Sequence, residues 1–227
     1  MIKRLYIVYF FAAVLAVESC KNNDSVYKTV LYAGVNVVNA SADTLNFYLN
    51  GTRQNNSSSL YPGSQSFYLP VAQGAENFQF KKAGTFNVLF SVPLTLKDST
   101  NYSIYVAGET TANSFNTIDY LDTTGIQNGI GTRIRFVNAC PAAGNLDVTV
   151  GDTLSYSARP YQSSSAFLLT GSGIKVVKIS QSGSVTPKIL IDTAITFQPG
   201  RIYSLVSRGI INGTGSAKFN VGIVINY

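Results

Sequence analysis

The sequence predicts an all-β fold of two tandem immunoglobulin-like β-sandwich domains, on three observations. Apolar residues alternate with polar ones in short runs: Leu45, Phe47 and Leu49 flank Asn46 and Tyr48, and Leu146, Val148 and Val150 do the same a hundred residues later. Gly, Pro and Asn punctuate the chain every ten residues or so, and no apolar stripe of helical spacing outlasts a turn or two. Finally, the chain is written twice. Val38-Asn39-Ala40 returns as Val137-Asn138-Ala139, Phe67-Tyr68-Leu69 as Phe167-Leu168-Leu169, and Tyr102-Ser103-Ile104 as Tyr203-Ser204-Leu205. A period near 100 is the size of a domain, not of a solenoid unit.

The elements follow in order. Lys3 and Arg4 precede an uncharged run from Leu5 to Val17, which is too short to cross a bilayer as a helix. Val17-Glu18-Ser19-Cys20 closes the run in the layout of a bacterial lipoprotein signal, with Glu18 where a small or apolar residue is usual. An ordinary secretory signal with an incidental Cys20 is the plainer alternative. Residues 1–19 are thus expected to be a signal peptide and 20–28 a lipidated tether, attached to a membrane through Cys20. Residues 29–124 form the first sandwich. Within it Asn50-Gly51 is a hairpin turn, Phe78 and Phe80 pair with Phe86, Val88 and Phe90 around Ala83-Gly84, and Phe115–Leu121 is the last strand. Residues 125–131, rich in Gly, Gln and Asn, are a linker short enough to allow hinging while keeping the domains close. Residues 132–227 form the second sandwich, with strands over 174–179, 188–192 and 202–206 and a buried final strand over 219–225.

Composition narrows the chemistry. The chain carries +6 with charged residues at only 12%, and its basic residues are scattered. Arg133 with Arg135 and Lys175 with Lys178 read as solvated strand positions, so no nucleic-acid partner is expected. With no His and two Cys, no metal site and no activated thiolate can be assembled. A disulfide between Cys20 and Cys140 competes with lipid at Cys20; otherwise Cys140 is a small buried hydrophobe. Asp147 and Asp152 lie five apart on opposite strand faces and make no glycosidase pair. No enzyme and no cofactor are expected.

Arg133-Ile-Arg-Phe-Val-Asn-Ala-Cys-Pro141 followed by Leu146-Asp-Val-Thr-Val150 resembles the domain-of-unknown-function 4397 family, as does Pro199-Gly-Arg-Ile-Tyr-Ser204. The resemblance implies a bacterial exported protein, often lipid-anchored, of one or more β-sandwich modules. Cys140 stands where that family usually has Ser. In the first domain Asn36 replaces the motif's arginine and Ala42 its proline. The family implies no catalytic residue or ligand.

Six of the eight aspartates precede Ser or Thr and then a small or aliphatic residue or Thr. The triplets resemble the O-glycosylation pattern of exported proteins in Bacteroidetes-type bacteria. They make Ser25, Thr44, Ser99, Thr123, Thr153 and Thr193 candidate glycan sites, although Asp-Ser and Asp-Thr also suit turns. Tyr61, Tyr68, Tyr156 and Tyr161 are the candidate loop contacts.

These features point to a non-catalytic protein of the cell envelope, an outer-membrane lipoprotein facing the periplasm or the exterior. It would bind a polysaccharide, an envelope protein or a host surface. The alternative is a structural spacer or subunit of an envelope assembly with no small ligand. A binder should show an aromatic patch on loops at one end, and a subunit a bare strand edge or a flat apolar face. Protein from the native host is expected to carry the mass of lipid on Cys20, and of glycan on several triplets. Cys20→Ala should release it from membranes. An unmodified intact mass, or a Cys20→Ala protein still sedimenting with membranes and labelling with palmitate, would overturn the respective assignment.

Overall fold

The computed structural model describes residues 29–108, 113–119, 131–183 and 188–226, with the backbone alone of 113–119. The expected signal peptide and tether, Cys20, Ser25, Thr123 and residues 125–130 of the linker lie outside the described residues. From Leu31 onward the chain forms one unit.

Its first half contributes β1 (Tyr32–Asn39), β2 (Leu45–Leu49), β3 (Thr52–Arg53), β4 (Leu69–Ala72), β5 (Gly74–Lys82), β6 (Val88–Leu96), β7 (Asn101–Ala107) and β8 (Asn113–Asp119). These make two sheets, ordered β4-β1-β7-β8 and β3-β2-β5-β6. The second half contributes β9 (Gly131–Asn138), β10 (Leu146–Val150), β11 (Leu154–Arg159), β12 (Ser163–Ser164), β13 (Leu168–Gly171), β14 (Gly173–Gln181), β15 (Ile189–Phe197), β16 (Ile202–Arg208) and β17 (Asn220–Ile225). Its sheets repeat the same order: β9 lies between β16 and the short β12 and β13, β17 lies outside β16, and β11-β10-β14-β15 form the facing sheet. The all-β sandwich class is as expected, and the strand order sharpens the immunoglobulin-like expectation. In an immunoglobulin constant domain the first strand shares a sheet with the second. Here β1 and β9 leave their successors and pair in parallel with β7 and β16.

Local sequence accounts for the elements. Asn50 (φ 49°) and Gly51 (φ 83°) both adopt positive φ, as a two-residue hairpin turn of this twist requires. β1 maps onto β9 at an offset of 99 and β2 onto β10 at 101; the 3-10 turn Pro141–Ala143 occupies the longer loop. Tyr102 and Tyr203 sit at one repeated position, and each hydroxyl accepts the backbone N–H of the residue five earlier, Lys97 at 3.1 Å and Gln198 at 3.0 Å. That is the corner tyrosine of immunoglobulin-type sandwiches.

Each sandwich has its own core. Val35, Val37, Phe47, Phe78, Phe80 and Ile104 fill the first, where Phe80 stacks on Phe90 at 4.8 Å. Ile134, Phe136, Leu146, Val177, Phe197 and Leu205 fill the second. A third cluster lies between the sandwiches: Val38, Ala40, Tyr105 and Ala107 pack on Val137, Ala139, Val206 and Val224. The opposite faces of β1, β7, β9 and β16 thus meet each other, and these four strands are buried on both sides.

Several expectations change here. Arg135 is 3% exposed, not solvated, because its strand face looks into the other sandwich. Hinging gives way to buried inter-sandwich contact, with Arg135 Nη2 donating to Tyr105 Oη at 2.8 Å and Asn226 Nδ2 to Tyr68 Oη at 3.0 Å. Phe86 lies outside β6 and is 93% exposed. The final strand is an edge in which only Val224 is buried, not a buried strand. The aromatic repeat slips by one residue: Leu69 and Leu168 oppose Val35 and Ile134, so Tyr68, not Phe67, matches Phe167.

The repeated Val-Asn-Ala earns its place through the asparagine. Asn39 Nδ2 donates to the carbonyls of Asp43 and Leu60, while its Oδ1 accepts from the N–H and Oγ of Ser41. Asn138 Nδ2 donates to Gly144 and Arg159 carbonyls, and its Oδ1 accepts from Cys140 N–H and Ser207 Oγ. Each fully buried amide pins the loop leaving its strand to a segment 21 residues away. Truncation would leave several buried polar groups without partners. Asn138→Ala and Asn39→Ala are therefore each expected to lower stability by about 3 kcal/mol in urea unfolding. Losses below about 1 kcal/mol at both sites would show the clamp to be dispensable.

Candidate interaction surface

The sequence-predicted residues do not converge. Ser99 (φ 55°) lies exposed in the β6–β7 turn, Thr153 exposed in the β10–β11 turn and Thr193 exposed on β15. Thr44 is half-buried beside Asp43, whose carboxylate meets Lys82 Nζ at 2.7 Å. Cys140 is buried; its backbone N–H and Sγ are held by Asn138 Oδ1 and the Gly209 carbonyl, at the position Ser41 fills in the first sandwich. Asp147 Oδ1 accepts the Ala158 N–H at 2.7 Å, a structural use of that carboxylate.

The four loop tyrosines do not form a patch either. Tyr156 lies in the second core with its hydroxyl donating to the Ile134 carbonyl, and burial pushes its phenol well above the ordinary tyrosine range. Tyr68 is half-buried between the sandwiches, and Tyr161 packs on the inter-sandwich cluster. Of the four only Tyr61 is exposed. Tyr156 belongs to β11 itself, and the segments carrying Tyr68 and Tyr161 fold back over the sheets instead of projecting from them.

A shallow concavity of about 700 Å³ lies on the outer face of β10 and β14, lined by Thr149, Asp152, Thr153, Ile174, Lys175 and Lys178. Its side chains are of mixed character, and no residue in it is held by a buried polar partner.

The edge of β17 is different. Strand edges expose unpaired backbone groups, and proteins blunt them with charges, proline, bulges or brevity. β3 and β12 have two residues each and β13 four; β4 and β6 contain Pro70 and Pro93, while β8 keeps an unbroken register against β7 and ends on the charged Asp119. The ladders that carry β11 and β15 are broken by register shifts. β17 runs Asn-Val-Gly-Ile-Val-Ile, with no charge, no proline and an unbroken register against β16. The Asn226 N–H bonds the Ile202 carbonyl at 2.8 Å, which makes the even-numbered residues of β17 the hydrogen-bonded partners of β16. The N–H and C=O groups of Val221, Ile223 and Ile225 therefore point away from the sheet, and no strand among the described residues pairs with them.

Beside this edge runs a crevice of about 430 Å³, lined by Phe67, Thr196, Gln198, Tyr203, Ile223 and Ile225. Ile223 and Ile225 are each 42% exposed and Phe67 63%. Phe67 comes from the first sandwich and holds φ at 58°, a conformation that bulky residues rarely adopt. Its side chain is presented to solvent at the cost of backbone strain. Periodicity carries no trace of this feature, because a left-handed φ and a strand's place at an edge are tertiary facts.

Fold and site together describe a paired β-sandwich protein with an open, apolar sheet edge at β17. The profile of a family described as a domain of unknown function, DUF4397, matches residues 33–149 and again 132–219. The chain belongs to that family. No curated protein matches it. One solved structure, described as that of a "putative cell adhesion protein" from Bacteroides eggerthii DSM 20697, is similar at 11% identity with a TM-score of 0.26. The likeness covers 86% of this chain and 95% of that one, and it is too slight to bear on fold or function.

Glycine adopts positive φ without the steric cost other residues meet. Phe67→Gly is expected to raise stability by about 1 kcal/mol while removing one wall of the crevice. A loss of stability in denaturant unfolding would show that the Phe67 ring is held by packing and not displayed.

Proposed function

We propose that this chain is a non-catalytic cell-envelope protein, anchored through lipid on Cys20, whose work is contact with another envelope protein. The observation that supports it best is the uncharged, unblunted edge of β17 beside the crevice at Phe67. This is the bare edge expected of an assembly subunit, where a polysaccharide binder calls for clustered loop aromatics. The tyrosines do not supply such a cluster, and the chain has no Trp to serve as a stacking platform. Two sandwiches fastened by buried contacts form a stiff body, suited to presenting an edge at a set distance from an anchor. Among the described residues no helix is long and apolar enough to cross a membrane. Glycans on Ser99, Thr153 and Thr193, all exposed, would add bulk and solubility to the body.

Photo-crosslinkers placed at Ile225 and, as a control, at Phe86 in intact cells test this reading. Adducts with an envelope protein are expected from Ile225 and not from Phe86. No adduct at Ile225, or glycan-array binding that Ile225→Lys leaves unchanged, would reject it in favour of the polysaccharide reading.

A further inference from the structure

Resting on that contact role, we propose that β17 is an acceptor for strand addition. Its sheet is extended by an extended, uncharged segment of another protein chain, with apolar side chains at alternate positions that enter the crevice beside Phe67. The backbone defines half of the recognition. Val221, Ile223 and Ile225 turn three C=O groups outward, Ile223 and Ile225 turn out two N–H groups, and the Val221 N–H is taken by Asn220 Oδ1 at 2.8 Å; another extended chain pairs with such a row.

The side chains define the other half. Residues 221, 223 and 225 share one face of β17, and Val221 packs against the second core. Ile223 and Ile225 continue that apolar row into the open flank, between the ends of the two sheets of the second sandwich. An added strand has the same two-residue period, so every second side chain falls on this row. Every lining residue of the crevice is uncharged, and a lysine or glutamate entering it would lose hydration with no partner to replace it. The occupant's inward positions are therefore apolar.

Phe67 comes from the first sandwich, and Thr196, Gln198 and Tyr203 from the second, so a segment added along this edge meets side chains of both sandwiches.

The probe is a capped hexapeptide, Thr-Val-Thr-Ile-Thr-Val, titrated against the mature full chain and compared with its analogue carrying Lys at the three apolar positions. The first peptide should bind and slow hydrogen exchange at the amides of Ile223 and Ile225; the lysine analogue should not. Ile223→Pro removes an N–H that faces away from β16, a placement edge strands tolerate. It should cut affinity by about tenfold or more with the thermal midpoint little changed. Should that variant fail to fold, Ile225→Lys keeps every backbone group and should weaken binding comparably through charge alone.

Binding without exchange protection at those two amides overturns strand addition. So does concentration-dependent dimerisation that Ile223→Pro abolishes in a protein that ignores the peptide, since the edge would then serve a second copy. If the peptide fails while the crosslinks from Ile225 persist, the strand mode is wrong and the contact role stands. If those crosslinks are missing as well, the role itself falls.

Discussion

Burial of both faces of β1, β7, β9 and β16 is the constraint on which the rest of this molecule depends. One face of each strand completes its own sandwich core; the other face meets the partner sandwich. Strands in that position cannot be apolar throughout, because the sequence also carries Asn36, Ser103, Arg135 and Ser204 into the layer. A buried polar group without a partner costs more than a hydrogen bond returns, so each must be met. Asn36 Nδ2 donates to Gln65 Oε1 at 2.8 Å, and Arg135 Nε to Ser204 Oγ at 2.7 Å. Ser204 Oγ in turn donates to Asn226 Oδ1 at 2.7 Å, and the Phe167 ring covers the guanidinium at 4.6 Å. The same Arg135 and Asn226 reach across to Tyr105 and Tyr68 of the first sandwich, so sliding or hinging one sandwich on the other would break both of these bonds together.

Tandem copies of one fold that pack by equivalent faces face a problem of symmetry. Val38 and Val137 are matched positions, as are Ala40 and Ala139, and all four meet in the same cluster. The contact is therefore close to isologous, and whatever stands at one position stands near its own counterpart. Small apolar residues accept that. An arginine does not, since Asn36 in the first copy corresponds to Arg135 in the second. A second guanidinium at 36 would bury another positive charge in one layer, with a steep desolvation cost. The departure of the first domain from the Arg-x-Arg motif is thus a requirement of the pairing. Positions that serve each sandwich alone stay alike: Asn39 with Asn138, Tyr102 with Tyr203, and Ser66 with Ser165, whose hydroxyls both take the N–H of the facing strand at 2.9 Å.

Those two classes of position explain what was legible in the sequence. Local chemistry was readable: the Asn50-Gly51 turn, the alternation of β2 and β10, the repeat itself and the strands over 174–179 and 202–206. Whether a strand has one covered face or two was not, since period two reports alternation and not what lies opposite. Arg135 was misplaced for that reason, as was the buried reading of β17, whose Val-Gly-Ile-Val-Ile is as apolar as an interior strand. Tyr68 sits in a turn-rich segment that lies over the sheets, a matter of loop path and not of composition, while Tyr156 is part of strand β11 with its ring in the core. The interaction surface was the least legible part, since it joins Phe67 and Ile225 across a separation of 158 residues and rests on one backbone angle and one missing neighbour.

The state of several other edges argues that β17 is open for a reason. An exposed, uncharged strand edge invites unwanted pairing, and this chain has the means to prevent it. It places Pro70 on β4 and Pro93 on β6, keeps β3 and β12 to two residues, and breaks the ladders that carry β11 and β15. A single lysine in place of Ile223 or Ile225 would protect β17 as well, at little cost to a core those side chains only partly enter. Instead the edge is apolar, its register is unbroken, and a strained phenylalanine from the neighbouring sandwich extends its apolar surface. The described residues of β8 and β13 are also edge strands; what sets β17 apart is the apolar crevice beside it, and the pairing of the two sandwiches is what brings Phe67 to that margin.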